Sequence, residues 1–159
     1  MLHLIPAPLH RLALRLGYKL RQQFWKWARP DVAGVAVLLR DTEGRLLLVR
    51  HSYGPRAWAL PGGGMGANED PAEAARREMR EELACELDDL QVLRAFEEDL
   101  SGAPHVAHVF TAQPIGDVRV DGRELLEARW FAADELATVS CTRVTFRRLK
   151  VLGFYNSES

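Results

Sequence analysis

The chain has 159 residues, of which 47% are hydrophobic and 27% charged, the size and balance of one domain with a buried core. The net charge of −1 conceals an asymmetry: residues 1–30 hold six of the 21 Lys and Arg and no acid, leaving 15 basic against 22 acidic residues beyond them. An acidic body argues against an extended nucleic-acid surface, because phosphate contacts dominate that affinity, and no apolar run reaches the ~20 residues of a membrane-spanning helix. Cys85 and Cys141 lie far apart without a C-x-x-C spacing. That excludes a disulfide scaffold and a cysteine zinc site as the expectation, and with no secretory-type apolar core at the N-terminus it fits a cytoplasmic setting.

In chain order, residues 9–28 read as a basic amphipathic helix. Leu9, Leu12, Leu16, Leu20, Phe24 and Trp27 recur at steps of three and four, and Pro30 closes the segment. Its expected roles are docking on the sheet or on a second copy in a homodimer, peripheral contact with an anionic membrane, or targeting. Strand patterns follow at 32–40 and 45–51, joined by Asp-Thr-Glu-Gly as a hairpin. Residues 58–61 read as a short strand leading into Gly62, Gly63 and Gly64. After a helix starting near Asp70, three more strands are expected at 90–99, 105–114 and 126–131, then a helix at 142–152 stopped by Gly153. The resulting expectation is a helical extension over 1–30 and one domain over 31–159, of α/β (α+β) class, with a mixed sheet packed between helices.

The chemistry concentrates between residues 61 and 85. Asp70 is placed as N-cap, Pro71 as first helical residue and Glu73 as capping-box partner, with Ala72, Ala75, Met79 and Leu83 as the buried stripe. Glu78, Glu81 and Glu82 then stand at i, i+3 and i+4 on one helix surface, where each like-charged pair costs roughly 0.2–0.5 kcal/mol unless neutralised. Arg76, Arg77 and Arg80 offer one remedy, a salt-bridged solvent face. The glycines just before the helix offer another, since backbone there can approach a ligand closely. Hard divalent cations take oxygen ligands and share them with phosphates, which would turn the repulsion into affinity.

This stretch resembles the Nudix box, G-x5-E-x7-R-E-U-x-E-E-x-G-U, with U a bulky apolar residue. Gly63, Glu69, Arg77, Glu78, Glu81 and Glu82 supply six of its seven fixed letters, Met79 and Cys85 fill apolar slots, and Ala84 replaces the family glycine. The resemblance extends through flanking strands over roughly 32–137. It implies a Nudix-like fold and a Mg²⁺- or Mn²⁺-dependent hydrolase that cleaves the pyrophosphate of a nucleoside diphosphate linked to another moiety, a small-molecule substrate. Glu78, Glu81, Glu82 and the backbone carbonyl near Gly62 would hold metal, with Glu81 or Glu82 as general base. Gly63, Glu69 and Arg77 would support the box, Arg77 facing away from the carboxylates to pair with Glu69.

A further ligand or base is expected from Glu124, with Glu97, Glu98 and Asp99 as rivals, and Tyr53 is a weaker candidate for substrate contact. Trp58 and Trp130 read as core, His105 and His108 as strand surface, Cys85 as an apolar filler. The alternative for the whole chain is a non-catalytic Nudix-like domain that binds nucleotide or RNA as a sensor; the surviving box carboxylates favour the enzyme.

Overall fold

Alternation along the strands sets the architecture. In β1 (Val32–Leu39), Val35, Val37 and Leu39 enter one core cluster while Ala36 and Leu38 enter another. β2 (Leu46–His51) divides likewise, Leu47 and Val49 from Leu46 and Leu48. The sheets are therefore apolar on both faces and need cover on both. Helix α1 (Pro71–Leu83) covers one with Ala74, Ala75, Met79 and Leu83; α2 (Ala133–Leu136) and α3 (Arg143–Val151) cover the other with Leu136 and Leu149. This computed structural model describes residues 32–100 and 102–155, with Ala13, Leu16 and Gly17. Those three are helical, and the rest of the expected 9–28 helix lies outside the described residues.

β3 (Gly62–Gly64), β1, β5 (Ala103–Ile115) and β4 (Glu86–Leu100) form a four-stranded mixed sheet in that order, with β1 and β5 parallel. β2 pairs with β6 (Leu125–Phe131) in a separate two-stranded sheet. The expected β1–β2 hairpin thus forms only at its turn. The Asp41 carboxylate accepts from the amides of Glu43 and Arg45 at 3.0 and 2.8 Å, and Gly44 takes a φ of +77°. One bridge, Arg40 to Leu46, follows before the strands part to different sheets. Both faces of each strand carry apolar residues, so local pattern could not reveal which neighbour would win.

The strand expected at 58–61 is also displaced. Trp58 and Ala59 make isolated bridges, and the glycines themselves form β3, pairing Gly62 with Ala36 and Gly64 with Gly34. A Cβ on Gly62 would collide with the Val35 carbonyl oxygen, so this crossing of backbones requires glycine there.

α1 starts as its sequence demands: Asp70 accepts from the amides of Ala72 and Glu73 at 2.9 and 3.2 Å, and Pro71 opens the first turn. The reciprocal bond expected from Glu73 is not made. The buried stripe is Ala74, Ala75, Met79, Glu82 and Leu83, so Ala74 replaces the expected Ala72 and a glutamate joins the apolar face. Ala84 ends the helix at φ 53°, ψ 31°, with its amide on Arg80 O and the amide of Cys85 on Met79 O. A left-handed residue with a Cβ costs about 1 kcal/mol. Ala84→Gly should therefore stabilise the domain by about 1 kcal/mol, raising the thermal midpoint by about 3 °C. A midpoint that is unchanged or lower by circular dichroism would contradict this account of the cap.

Candidate active site

Glycine strand and acidic helix meet at Glu82. Its side chain lies on the buried face of α1, 4% exposed, and accepts a hydrogen bond from the Gly62 amide at 3.2 Å. Burial pushes its carboxyl well above the ordinary 4.5, the charge of Glu78 adds to the rise, and those of Glu124 and Asp121 add further. Glu78 is half-buried one turn earlier, with its carboxylate beneath Gly63, where a Cβ would overlap it. Burial raises this carboxyl too, against the pull of Arg77 and with the charges of Glu81 and Glu124 adding to the rise. Glu81 stands on the outer flank of the helix, its side chain 61% exposed.

Arg77 ties these groups together. Its Nε and Nη2 donate to the two oxygens of Glu69 at 2.8 and 3.0 Å, and Nη2 also donates to Gly64 O at 2.9 Å. Its Nη1 reaches Glu78 at 2.7 Å and Glu81 at 3.3 Å. The expected pairing with Glu69 is present, but Arg77 does not face away from the carboxylates. The five N–H groups of a guanidinium let it serve the loop and the cluster at once. Glu69 in turn accepts from the Gly66 amide at 2.7 Å. The Arg77 hydrogen bonds, then that amide, hold its carboxyl down at about 2.

From the other side, the loop before β6 brings Glu124 close enough for its charge to act on Glu78 and Glu82. Asp121, which sequence reasoning passed over, shapes this loop by accepting from the amides of Arg123, Glu124 and Leu125 at 3.0–3.1 Å. The Asp121-Gly122 dipeptide was the available signal for such a turn. Glu124 O also accepts from Ser52 N at 2.8 Å, which places Glu124 beside the end of β2; there Tyr53 lies against His51 with rings 5.2 Å apart.

The rivals of Glu124 stand elsewhere. Glu97 and Asp99 are exposed on β4, whereas Glu98 is buried and held by Arg148 of α3 through two hydrogen bonds of 2.9 and 2.7 Å. His105 is no surface residue: its side chain is 10% exposed, with Nδ1 buried 3.7 Å from Glu98 Oε2, beyond hydrogen-bond distance. Burial alone would raise the Glu98 carboxyl, but the His105 imidazole and the Arg148 guanidinium hold it at about 2.

The donor set of Glu78, Glu82, Glu81 and the Gly62 carbonyl is all oxygen, and its buried carboxyls face other acids, which suits a hard cation. Among the described residues, no three His, Cys, Asp or Glu side chains are yet drawn together as ligands. Arg77 holds Glu78 and Glu81, and Gly62 holds Glu82. A cation would take these oxygens in competition with those hydrogen bonds.

The NUDIX domain family model matches residues 30–152, and the chain belongs to this family. The chain is 44% identical over 54 residues to an RNA pyrophosphohydrolase of Rhodospirillum rubrum, covering 34% of this chain and 33% of that protein. It is 34% identical over 112 residues to the human mitochondrial NAD(P)H pyrophosphatase NUDT13, covering 69% of this chain and 32% of that protein. The chain thus spans about a third of the length of these curated relatives. The crystal structure of a MutT NUDIX hydrolase from Burkholderia pseudomallei superposes with a TM-score of 0.68 at 28% identity, covering 76% of this chain and 97% of that one.

The ion pair between Glu98 and Arg148 yields a pH prediction. A carboxyl that sits at about 2 when folded against an ordinary 4.5 contributes stability that is complete above pH 4.5 and is lost as the pH falls towards 2. Glu98→Gln should be markedly less stable than wild type in urea at pH 6, with the gap narrowing steadily below pH 4.5. A gap that stays constant over that range would show that the ionised Glu98 is not what stabilises this contact.

Proposed function

We propose that this protein is a divalent-metal-dependent pyrophosphohydrolase, cleaving the pyrophosphate of a nucleoside diphosphate linked to another moiety. The observation that carries this reading is the mutually repelling pair of half-buried Glu78 and buried Glu82 set against the glycine strand. The names of the relatives point the same way, since both contain a pyrophosphate-cleaving activity.

In this reading Glu78, Glu81, Glu82 and the Gly62 carbonyl hold Mg²⁺ or Mn²⁺. The metal, when bound, neutralises phosphate charge and makes nearby water more acidic. The side chains do the rest. Gly62, Gly63 and Gly64 keep one wall of the site free of side chains, so a phosphate chain can approach the backbone. Arg77, fastened to Glu69 and Gly64, fixes the helix against that wall. Glu81 or Glu82 accepts the proton of the attacking water, with Glu124 at the opposite side as a further acceptor or ligand. Tyr53, beside the same end of β2, is the candidate for substrate contact. The buried Glu98, committed to Arg148, takes no part.

Hydrolysis should be measured across nucleoside diphosphate derivatives with Mg²⁺ or Mn²⁺, and with EDTA. The expected result is turnover of one class that EDTA abolishes. Substituting the general base should lower kcat roughly 100-fold or more at saturating metal, whereas substituting a ligand should chiefly raise the metal concentration required. Comparing Glu81→Gln with Glu82→Gln therefore assigns the base. Absence of turnover on every compound, with nucleotide still bound by wild type and both variants, would replace this reading with a binding module. The glycine wall supplies a separate prediction: Gly63→Ala should displace the Glu78 carboxylate and lower kcat/KM at least about tenfold with the fold retained. Unchanged kinetics would contradict the role given to that contact.

A further inference from the structure

The glycine crossing has a side chain against it on each face of the sheet. On the α1 face the Glu78 carboxylate lies beneath Gly63. On the α3 face the neighbour is His105. A Cβ on Gly34, the β1 partner of Gly64, would stand 2.9 Å from the Gly63 carbonyl oxygen and 3.0 Å from His105 Nε2. Imidazole and carbonyl therefore close on the same point beside Gly34, one from β5 and one from β3. Strand alternation agrees, since His105 shares a face with Ala107 and Val109, which enter the cluster covered by α3.

Behind His105 stands an ion pair where apolar packing would be expected. Glu98, the β4 partner of His105, has a side chain 3% exposed, and that of Arg148 is 11% exposed. Such a pair adds little net stability, because desolvating both charges offsets their attraction. Arg148 takes both oxygens of Glu98, which makes the pair stiff. His105 Nδ1 is buried 3.7 Å from Glu98 Oε2, with no hydrogen-bond partner among the described residues. The ring is thus fixed at that end by packing rather than by a hydrogen bond, with the ion pair at its back and the Gly34 backbone at its front.

We propose that His105 is a positioning residue for the glycine strand: wedged between the Glu98–Arg148 pair and Gly34, its imidazole sets the seat of β3 on β1. Through β3 it sets the backbone of Gly62 and Gly63 against Glu82 and Glu78. β3 is three glycines long and has no side chain of its own to fix its place on the sheet. Two backbone bonds flank it, Val37 N to Pro61 O at 2.9 Å and Met65 N to Ala33 O at 3.0 Å. The Gly62 amide donates to Glu82 at 3.2 Å, so a strand that shifts takes that bond with it. The seating of the strand stands on this geometry alone; its consequence for a cation rests on the proposed ligand role of Glu78 and Glu82. Groups that orient ligands are typically worth about 10–100-fold in metal affinity.

The test compares wild type with His105→Ala and with His105→Gln, whose side-chain amide can reach the place of Nε2, by amide hydrogen exchange and Mn²⁺ titration of the full chain. In His105→Ala the amides of Val37 and Met65 should exchange at least about tenfold faster, while those of Leu47 and Leu48 in the other sheet keep their rates within about twofold. Mn²⁺ affinity should fall at least about fivefold, and His105→Gln should recover most of both losses. His105→Asn, which leaves the place of Nε2 empty, should behave as His105→Ala and serves in its stead if the smaller residue prevents folding. Unchanged exchange at Val37 and Met65, or an equal acceleration of all four amides, would overturn the wedge. Faster exchange with Mn²⁺ affinity intact would overturn the link from strand to ligands. Wild type that binds no Mn²⁺ would remove the ligand role of the glutamates, and the exchange comparison would still decide the seating.

Discussion

One guanidinium holds the acidic helix to the glycine strand. Arg77 bonds Glu69 through two of its nitrogens, Gly64 through its backbone oxygen, and Glu78 and Glu81 through the remaining nitrogen. Without it, Glu78 and Glu81 on neighbouring turns would stand unneutralised beside a strand that has no side chains to brace it. With it, the strand, the loop through Glu69 and the helix become one body. The same arrangement explains why a charge cluster survives beside a core: Arg77 offsets the repulsion from the exposed side, and Gly62 N–H supports Glu82 from the buried side.

The second constraint is close backbone approach. β3 can cross β1 at Gly62 because there is no Cβ to strike Val35, and Glu78 can lie beneath Gly63 for the same reason. Those two contacts set the Glu78 and Glu82 carboxyls directly against the glycine strand. The sheet is mixed and apolar on both faces, so it takes helices on both sides, and this leaves the edge at β3 as the place where polar groups collect. Fold and site are consequences of the same pairing.

How much of this was legible in the sequence depended on range. Features set by a few residues could be read directly: the Asp70 cap, Pro71 at the first turn, the end of α3 before Gly153, and the adjacency of Glu78, Glu81 and Glu82. Ala84 was readable too, as a residue standing where the box expects a left-handed glycine. Features decided by partners distant in the chain were not. β1 and β2 look like a hairpin, but Leu46 onward pairs with β6 some 80 residues later. Glu98 looks like any acid of an exposed strand until Arg148 arrives from α3, 50 residues away. His105 likewise reads as strand surface, yet its side chain is 10% exposed beside Glu98. Arg77 was read in one direction only because sequence spacing does not reveal that one side chain can serve two partners on opposite sides.

The claim on which the rest turns is that the Arg77-braced carboxylates form a divalent-cation site. Its most direct test is titration of the full chain with Mn²⁺ at neutral pH, with free ion followed by electron paramagnetic resonance. The account predicts saturable binding that rises with pH, weakens in Glu78→Gln and Glu82→Gln, and leaves the fold unchanged. No saturable Mn²⁺ binding, or binding that both variants retain at full strength, would contradict it.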